Sequence, residues 1–390
     1  MAAARRNFAV TALLVAVLAV AATLLPSAAW VLGLAAVLGL AGVVLLQGNR
    51  WRSGALLVSA LGLGLVLVDA FAGILTPGAH GSGLVYRAEP RDWKIDHPVL
   101  GYGARPNTSV RESATYDGKM VYDVVYTIDA DGRRMTPAVQ AGPAPAGADT
   151  YLFFGDSFMF GSGLADGDAL AAQVARVRDF RVRTANFGLT GYGPNHAVRA
   201  FEAGLVDRYA DGTVRAVVTW LIPDHLRRVT GDASWLGSSP RYVLEDGAGG
   251  GTVRHTGSFT EQRWRNPVDG LLHLAGEELA FVRAIGARQR EERQIELTVA
   301  LLLRLQTLAR EKLGAPLVVI YSWPNRRRGE RVPLVERLAA AGVRTMDTLD
   351  VTDGLPVEQI QIPHDGHPSA FQIGLVAAEL SRRLGGGNQR

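Results

Sequence analysis

Two short segments of this 390-residue chain hold the side chains whose types could do chemistry together. The first is Tyr151-Leu-Phe-Phe-Gly155-Asp156-Ser157-Phe158, an apolar run that ends in a glycine, an acid and a serine. The second is Ile362-Pro-His364-Asp365-Gly366-His367-Pro368-Ser369. A serine hydroxyl becomes a strong nucleophile only when a neighbouring base takes its proton. Ser157 is the candidate nucleophile and His367 the candidate base. Asp365, two residues earlier, could orient the imidazole and stabilise its charged form. One serine or one histidine alone says little, because structural ones far outnumber catalytic ones. The joint pattern, in the order Ser, Asp, His, carries the reading.

Other chemistries fit less well. Gly188-x-x-Gly191-x-Gly193 imitates a dinucleotide loop, but His196 takes the place of the last glycine and no acid follows at a suitable distance. Asp129-Ala-Asp131-Gly132 resembles a calcium loop without the downstream glutamate, so a hairpin turn is expected there. His364, Asp365 and His367 lack a second ligand cluster, so no metal and no cofactor are expected. His196 and His255 read as surface or structural residues. Cysteine is absent, which removes disulfides, a thiol nucleophile and thiolate metal sites. The net charge of +4 is spread as arginine along the chain, in no dense stripe and no recognisable module, so nucleic acid is not an expected partner.

The elements that must position these residues alternate. Strands are expected at Tyr151–Phe154, Val182–Phe187, Val214–Ile222, Pro316–Trp323 and Val343–Met346. Helices are expected around Asp168–Arg178, Pro194–Tyr209, Glu277–Leu313, Val332–Ala341 and Ser369–Leu384. Apolar strands alternating with helices imply a parallel sheet covered on both faces. In such a sheet ligands bind beyond the carboxyl ends of the strands, where Ser157 would lie. Residues 80–136 read as β-rich, 137–149 as a small-residue linker, and 228–275 as a long insertion that could shape a cleft.

The first 76 residues are of a different kind. Phe8–Leu25, Ala28–Leu46 and Gly54–Thr76 are apolar runs of the length a helix needs to cross about 30 Å of hydrocarbon. Arg5 and Arg6 precede the first run and Arg50 and Arg52 lie between the second and third, which puts those ends in the cytoplasm, the short Pro26 loop outside it, and everything after Thr76 outside as well. A cleaved signal peptide would not account for the two later runs. The expected organisation is a membrane anchor at 1–76, a lead-in and linker at 77–149 and a catalytic domain at 150–390. Localisation would be the inner (cytoplasmic) membrane, multi-pass, with the catalytic part on the extracytoplasmic side.

The Gly-Asp-Ser segment, Asn186-Phe-Gly188-Leu-Thr-Gly191-Tyr-Gly193 and Asp365-Gly-His367 together resemble the first, second and fifth sequence blocks of SGNH (GDSL-like) hydrolases. The likeness covers about 150–385, and His97-Pro-Val-Leu-Gly101-Tyr102 is similar to the lead-in of membrane-bound bacterial members. That resemblance implies a flavodoxin-like three-layer α/β/α sandwich after three transmembrane helices. It implies ester or acyl chemistry through a Ser157–His367–Asp365 triad, with the amides of Ser157 and Gly191 in the oxyanion hole. The third block departs from the pattern. In Trp220-Leu-Ile-Pro223-Asp224-His225, Pro223 stands where the family has a donor asparagine, and His225 is a candidate substitute. The expected activity is an extracytoplasmic serine esterase removing acyl groups, O-acetyl above all, from small esters or envelope glycan. An O-acyltransferase using the same triad and a catalytically weak binding or assembly protein are the alternatives. The lipid bilayer and polysaccharide-biosynthesis proteins are the other partners expected.

Overall fold

The computed structural model describes residues 2–24, 28–75, 83–136, 147–245, 252–265 and 287–385. The chain divides into two compact units, Met1–His80 with Arg263–Gln289, and Gly81–Gln262 with Arg290–Arg390.

The first unit contains helices Ala2–Leu24, Ala28–Leu45 and Asn49–Leu75. The second and third pack closely, because Gly39 carries no side chain. A Cβ there would lie 2.4 Å from Ser59 Oγ and 2.8 Å from the Ala55 carbonyl, the small-residue contact that lets apolar helices approach. Among the described residues, Asn49–Leu67 is long and apolar enough to cross a membrane, and Gly33–Leu45 is a shorter apolar stretch. Arg6 and Arg52 donate to the carbonyls of Leu45 and Leu46 at 3.2 and 3.0 Å, capping the second helix. The Asn7 side chain pairs with the Gln47 backbone at 2.7 and 2.9 Å. Arg6 and Arg52 therefore meet at one end of the bundle.

The second unit is built on five parallel strands: β6 (Thr150–Phe154), β7 (Arg183–Asn186), β8 (Val214–Leu221), β11 (Leu317–Tyr321) and β12 (Arg344–Asp347). Their order across the sheet is β12-β11-β8-β6-β7. Counted within the sheet this is 2-1-3-4-5, the flavodoxin-like doubly wound order. Side chains alternate between the faces. Leu152 and Phe154 join one core with Phe201, Leu305 and Leu338, while Tyr151 and Phe153 join another with Leu170, Ile373 and Leu380. Helices Pro194–Glu202, Ala287–Leu313 and Pro333–Ala340 thus cover one face, and Leu170–Val177 and Ala370–Gly385 the other. That is a three-layer sandwich.

The lead-in forms β1 (Leu84–Glu89), β4 (Thr108–Tyr116) and β5 (Lys119–Ile128) in an antiparallel sheet, and β2 (Lys94–His97) with β3 (Gly101–Ala104) in a hairpin. Trp93, Val110 and Tyr126 share the core of Phe160, and Ala114 and Tyr122 share that of Met159. The expected boundary between residues 149 and 150 therefore does not separate two compact units. The apolar faces of these short strands are buried on the α/β core, since small antiparallel sheets need such packing to be stable. The Asp129 turn is present, closed by an Asp129 amide bond to the Arg133 carbonyl at 2.8 Å. The helix expected over Pro194–Tyr209 ends at Glu202, with a 3₁₀ turn at Asp207–Tyr209. The 228–275 insertion contains the hairpin of β9 (Pro240–Leu244) and β10 (Val253–Ser258). Most of the expected linker, residues 137–146, and residues 277–286 of the long helix lie outside the described residues.

Candidate active site

In this strand order the sheet reverses direction of growth at β6, so the loops after β6 and β8 flank the crevice that doubly wound sheets use for ligands. Ser157 begins the helix Ser157–Phe160 immediately after β6 and is buried. Gly155 makes the turn possible, with φ of 154° and a would-be Cβ only 2.9 Å from Met159 Cβ. Asp156 is the N-cap, one carboxylate oxygen accepting the Phe158 amide at 3.0 Å. Its other oxygen accepts from Arg228 at 2.7 Å and lies 3.4 Å from His225 Nε2. Burial alone would raise the Asp156 carboxyl, but the His225 ring and the Arg228 guanidinium outweigh it and hold the group well below the usual carboxylate range. Asp156 is thus a buried anchor of the serine loop.

The loop after β7 leans on this turn. Asn186 donates to the Met159 carbonyl at 2.9 Å and accepts the Gly188 amide at 2.9 Å. Leu189 donates its amide to the Gly155 carbonyl at 3.1 Å. From the lead-in, Tyr102 Oη donates to the Thr190 carbonyl at 2.9 Å, and Tyr192 Oη donates to the Tyr102 carbonyl. Among the described residues, neither the Ser157 nor the Gly191 amide donates to another protein group. Both remain free to bind an oxygen of a substrate.

The second motif folds as a tight loop ahead of the last described helix. Ile362 donates to the His367 carbonyl at 2.8 Å and accepts from Asp365 and Gly366 at 3.2 and 3.1 Å. His367 Nδ1 is hydrogen-bonded to the Asp365 carboxylate, whose side chain is wholly enclosed. The His367 ring packs against Phe158, with centroids 5.4 Å apart, which brings the histidine loop to the residue beside Ser157. The lead-in sheet supports it from the other side. His364 stacks on Tyr116 at 3.8 Å and 2°. Burial, together with the Asp365 and Glu112 carboxylates, pushes the Tyr86 hydroxyl up to about 12.

His225 is not where the sequence suggested. It is buried, Nδ1 accepts the Ile222 amide at 3.4 Å, and Nε2 faces Asp156. Both ring nitrogens are directed at the protein, so His225 supports the serine loop from beneath and is not offered as the missing oxyanion donor. His196 is also structural. It is buried, it stacks on Tyr192 at 4.1 Å, and burial, aided by the Arg228 charge, lowers its pKa to about 3.

Two arginines that local sequence does not single out hold the site. Arg228 joins Asp156, the Tyr192 carbonyl at 3.0 Å and Asp224 at 3.3 Å. Arg134, with no exposed side-chain surface, donates to the carbonyls of Phe160, Gly161 and Leu164 at 2.7, 2.5 and 2.5 Å and pairs with Asp166 at 3.2 Å. It thereby satisfies the chain leaving the serine helix, where carbonyls would otherwise lack donors. The only sequence signal for Arg134 was its place just after the Asp129 turn.

No protein-family model matches the chain, and no curated protein matches it. Solved structures do match. A protein assigned to the G-D-S-L lipolytic family from Desulfitobacterium hafniense is 12% identical, with 60% of this chain and 98% of that one covered, at a TM-score of 0.34. A protein assigned as an arylesterase from Agrobacterium tumefaciens is 17% identical, over 60% and 98%, at 0.34. A carbohydrate acetylesterase family member from Sinorhizobium meliloti is 14% identical, over 61% and 99%, at 0.33. The chain is similar to these proteins in chain path.

Proposed function

We propose that this chain is a serine esterase held at a membrane, with Ser157 as nucleophile, His367 as base and Asp365 as its partner. The observation that carries the reading is the His367–Asp365 pair lying against Phe158, beside the serine at the carboxyl end of β6. Ser157 Oγ attacks the acyl carbon while His367 Nε2 accepts the hydroxyl proton, and the carbonyl electron pair moves onto its oxygen. The Ser157 and Gly191 amides receive that oxyanion. Collapse expels the alcohol oxygen, which takes the proton from His367, and leaves an acyl-serine. Water, deprotonated by His367, then repeats the sequence and releases the acid. Asp365 keeps the Nδ1–H tautomer, so Nε2 presents its lone pair.

A fluorophosphonate probe tests this. The wild-type chain should be labelled and Ser157→Ala should not; an unlabelled wild type would count for the weak binding or assembly reading. Location supports acyl esters of envelope glycan as the substrate class. Three apolar helices precede the site, and Arg6 and Arg52 converge at one end of the bundle, the end that the charge rule assigns to the cytoplasm. On this reading the unit of Gly81–Gln262 and Arg290–Arg390 lies outside the cytoplasm. An alkaline phosphatase fusion after residue 80 should be active and a cytoplasm-dependent fluorescent fusion dark. The reverse pattern would sink the three-span arrangement.

A further inference from the structure

The histidine loop contains a turn whose third residue is of an unusual kind. The Ile362 carbonyl accepts the Asp365 amide at 3.2 Å, so Pro363 and His364 are the central residues of a four-residue turn. Proline suits the first of these places, because its ring fixes φ at about −65°. His364 has φ of 63°, in the left-handed region where a Cβ crowds the backbone and glycine is the usual choice. Gly366, two residues on, has φ of 83° and follows that rule. His364 does not. It has a partner instead: its ring lies flat on Tyr116, with centroids 3.8 Å apart and planes 2° from parallel. Tyr116 is the last residue of β4, next to the Asp117-Gly118 turn. The chain at Gly83 also closes on that ring, since a Cβ there would come 3.3 Å from Tyr116 Cε2. The Tyr116 hydroxyl makes no hydrogen bond among the described residues, so the contact with His364 is one of ring faces.

We infer that Tyr116 is a positioning residue, whose stack on His364 offsets the cost of that left-handed backbone and so holds the catalytic loop in its working shape. This rests on the serine esterase reading. Asp365 follows His364 directly: its amide closes the turn and its carboxylate is bonded to His367 Nδ1. A swing of His364 to negative φ redirects the chain at Asp365, breaks that closure and moves the acid away from the imidazole. The apolar anchor at Ile362 and the ring contact of His367 with Phe158 lie on either side of the turn and do not fix its φ. An aromatic pair contributes about as much as a left-handed L-residue costs, so the stack is of the right size for the task. The lead-in sheet thus sets the geometry of the triad as well as covering the core.

In the full-length chain the backbone cost and the stack can be removed separately. His364→Gly removes both and should keep kcat for p-nitrophenyl acetate within about twofold of wild type, because glycine needs no compensation. His364→Ala and Tyr116→Ala remove the stack and keep the cost. Each should lower kcat about tenfold with KM little changed, since the loop then spends most of its time out of place. Tyr116→Phe keeps the ring and should match wild type. The deciding measurement is the double variant Tyr116→Ala with His364→Gly, which should regain the kcat that Tyr116→Ala loses. A lead-in that merely props the core would lose activity in both backgrounds, and that result overturns the proposal. If Tyr116→Ala does not fold, the two His364 variants decide alone, because they leave the lead-in intact; equal rates in Gly and Ala overturn the proposal. A Tyr116→Ala variant as fast as an active wild type overturns the positioning role and leaves the esterase reading standing. A wild type that neither labels with fluorophosphonate nor hydrolyses the ester overturns both.

Discussion

Asp365→Asn should cut ester turnover about 10⁴-fold with little loss of stability. His367 Nδ1 has the Asp365 carboxylate as its partner. An asparagine would turn its amide N–H₂ toward Nδ1 and favour the tautomer with the proton on Nε2, which is no base for Ser157. The stability side follows from burial. The second carboxylate oxygen of Asp365 is buried without a hydrogen-bond partner, and a neutral amide is cheaper to enclose than a carboxylate with one oxygen unsatisfied. Steady-state kinetics and a thermal unfolding midpoint on the same preparation check both halves. Wild-type turnover in the Asn variant would remove Asp365 from the mechanism.

Arg228→Met should be the most destabilising single change near the site, costing about 3–5 kcal/mol. Asp156 has no solvent exposure, and Arg228 at 2.7 Å is its shortest charged contact. Without the guanidinium the carboxylate must stay buried with a weaker partner or take up a proton, and the Tyr192 carbonyl loses its donor as well. Such a loss is a large share of the roughly 5–15 kcal/mol that holds a typical domain folded. Adding Asp156→Asn to Arg228→Met should restore part of it, because the second change removes the stranded charge. Denaturant midpoints of the four proteins give the coupling directly. Additive losses would show that the pair does not interact as the geometry says.

Much of this fold was legible in the sequence because its signals are local. The five core strands are short apolar runs, and their expected positions agree with the observed ones to within a residue or two, as for Val214–Leu221 and Leu317–Tyr321. The Ser157 turn was legible through Gly155, and the histidine loop through its two prolines and its place before a helix. The supports were not legible. Arg134 and Arg228 look like any other arginine in a chain rich in them, and the partners that matter to the serine loop, the Phe160 carbonyl and Asp156, lie 26 and 72 residues away. A buried cation leaves no periodic trace, since its solvent is replaced by carbonyls from elsewhere in the fold. His225 misled for a related reason. One position beyond Asp224 looked suitable for a donor, but the turn into Asp224–Val229 carries the ring inward. The lead-in read as a separate piece because its strands alternate like any half-exposed sheet, and sequence does not say which core receives the buried half.

The distance along the chain between Ser157 and His367 has a consequence for how the protein is made. At ordinary synthesis speeds the roughly 210 residues between them take on the order of 10–40 s to emerge. During that interval Arg134, Tyr102 and the serine loop are already outside the ribosome, yet the hydroxyl has no base to take its proton. The Ile362–His367 loop leads straight into the Ala370–Gly385 helix, whose Ile373, Val376 and Leu380 are buried in the core of the sheet. On the proposed triad, a chain interrupted anywhere between the two residues carries the serine without its base, so such a fragment is inert as an esterase however well its serine loop is folded.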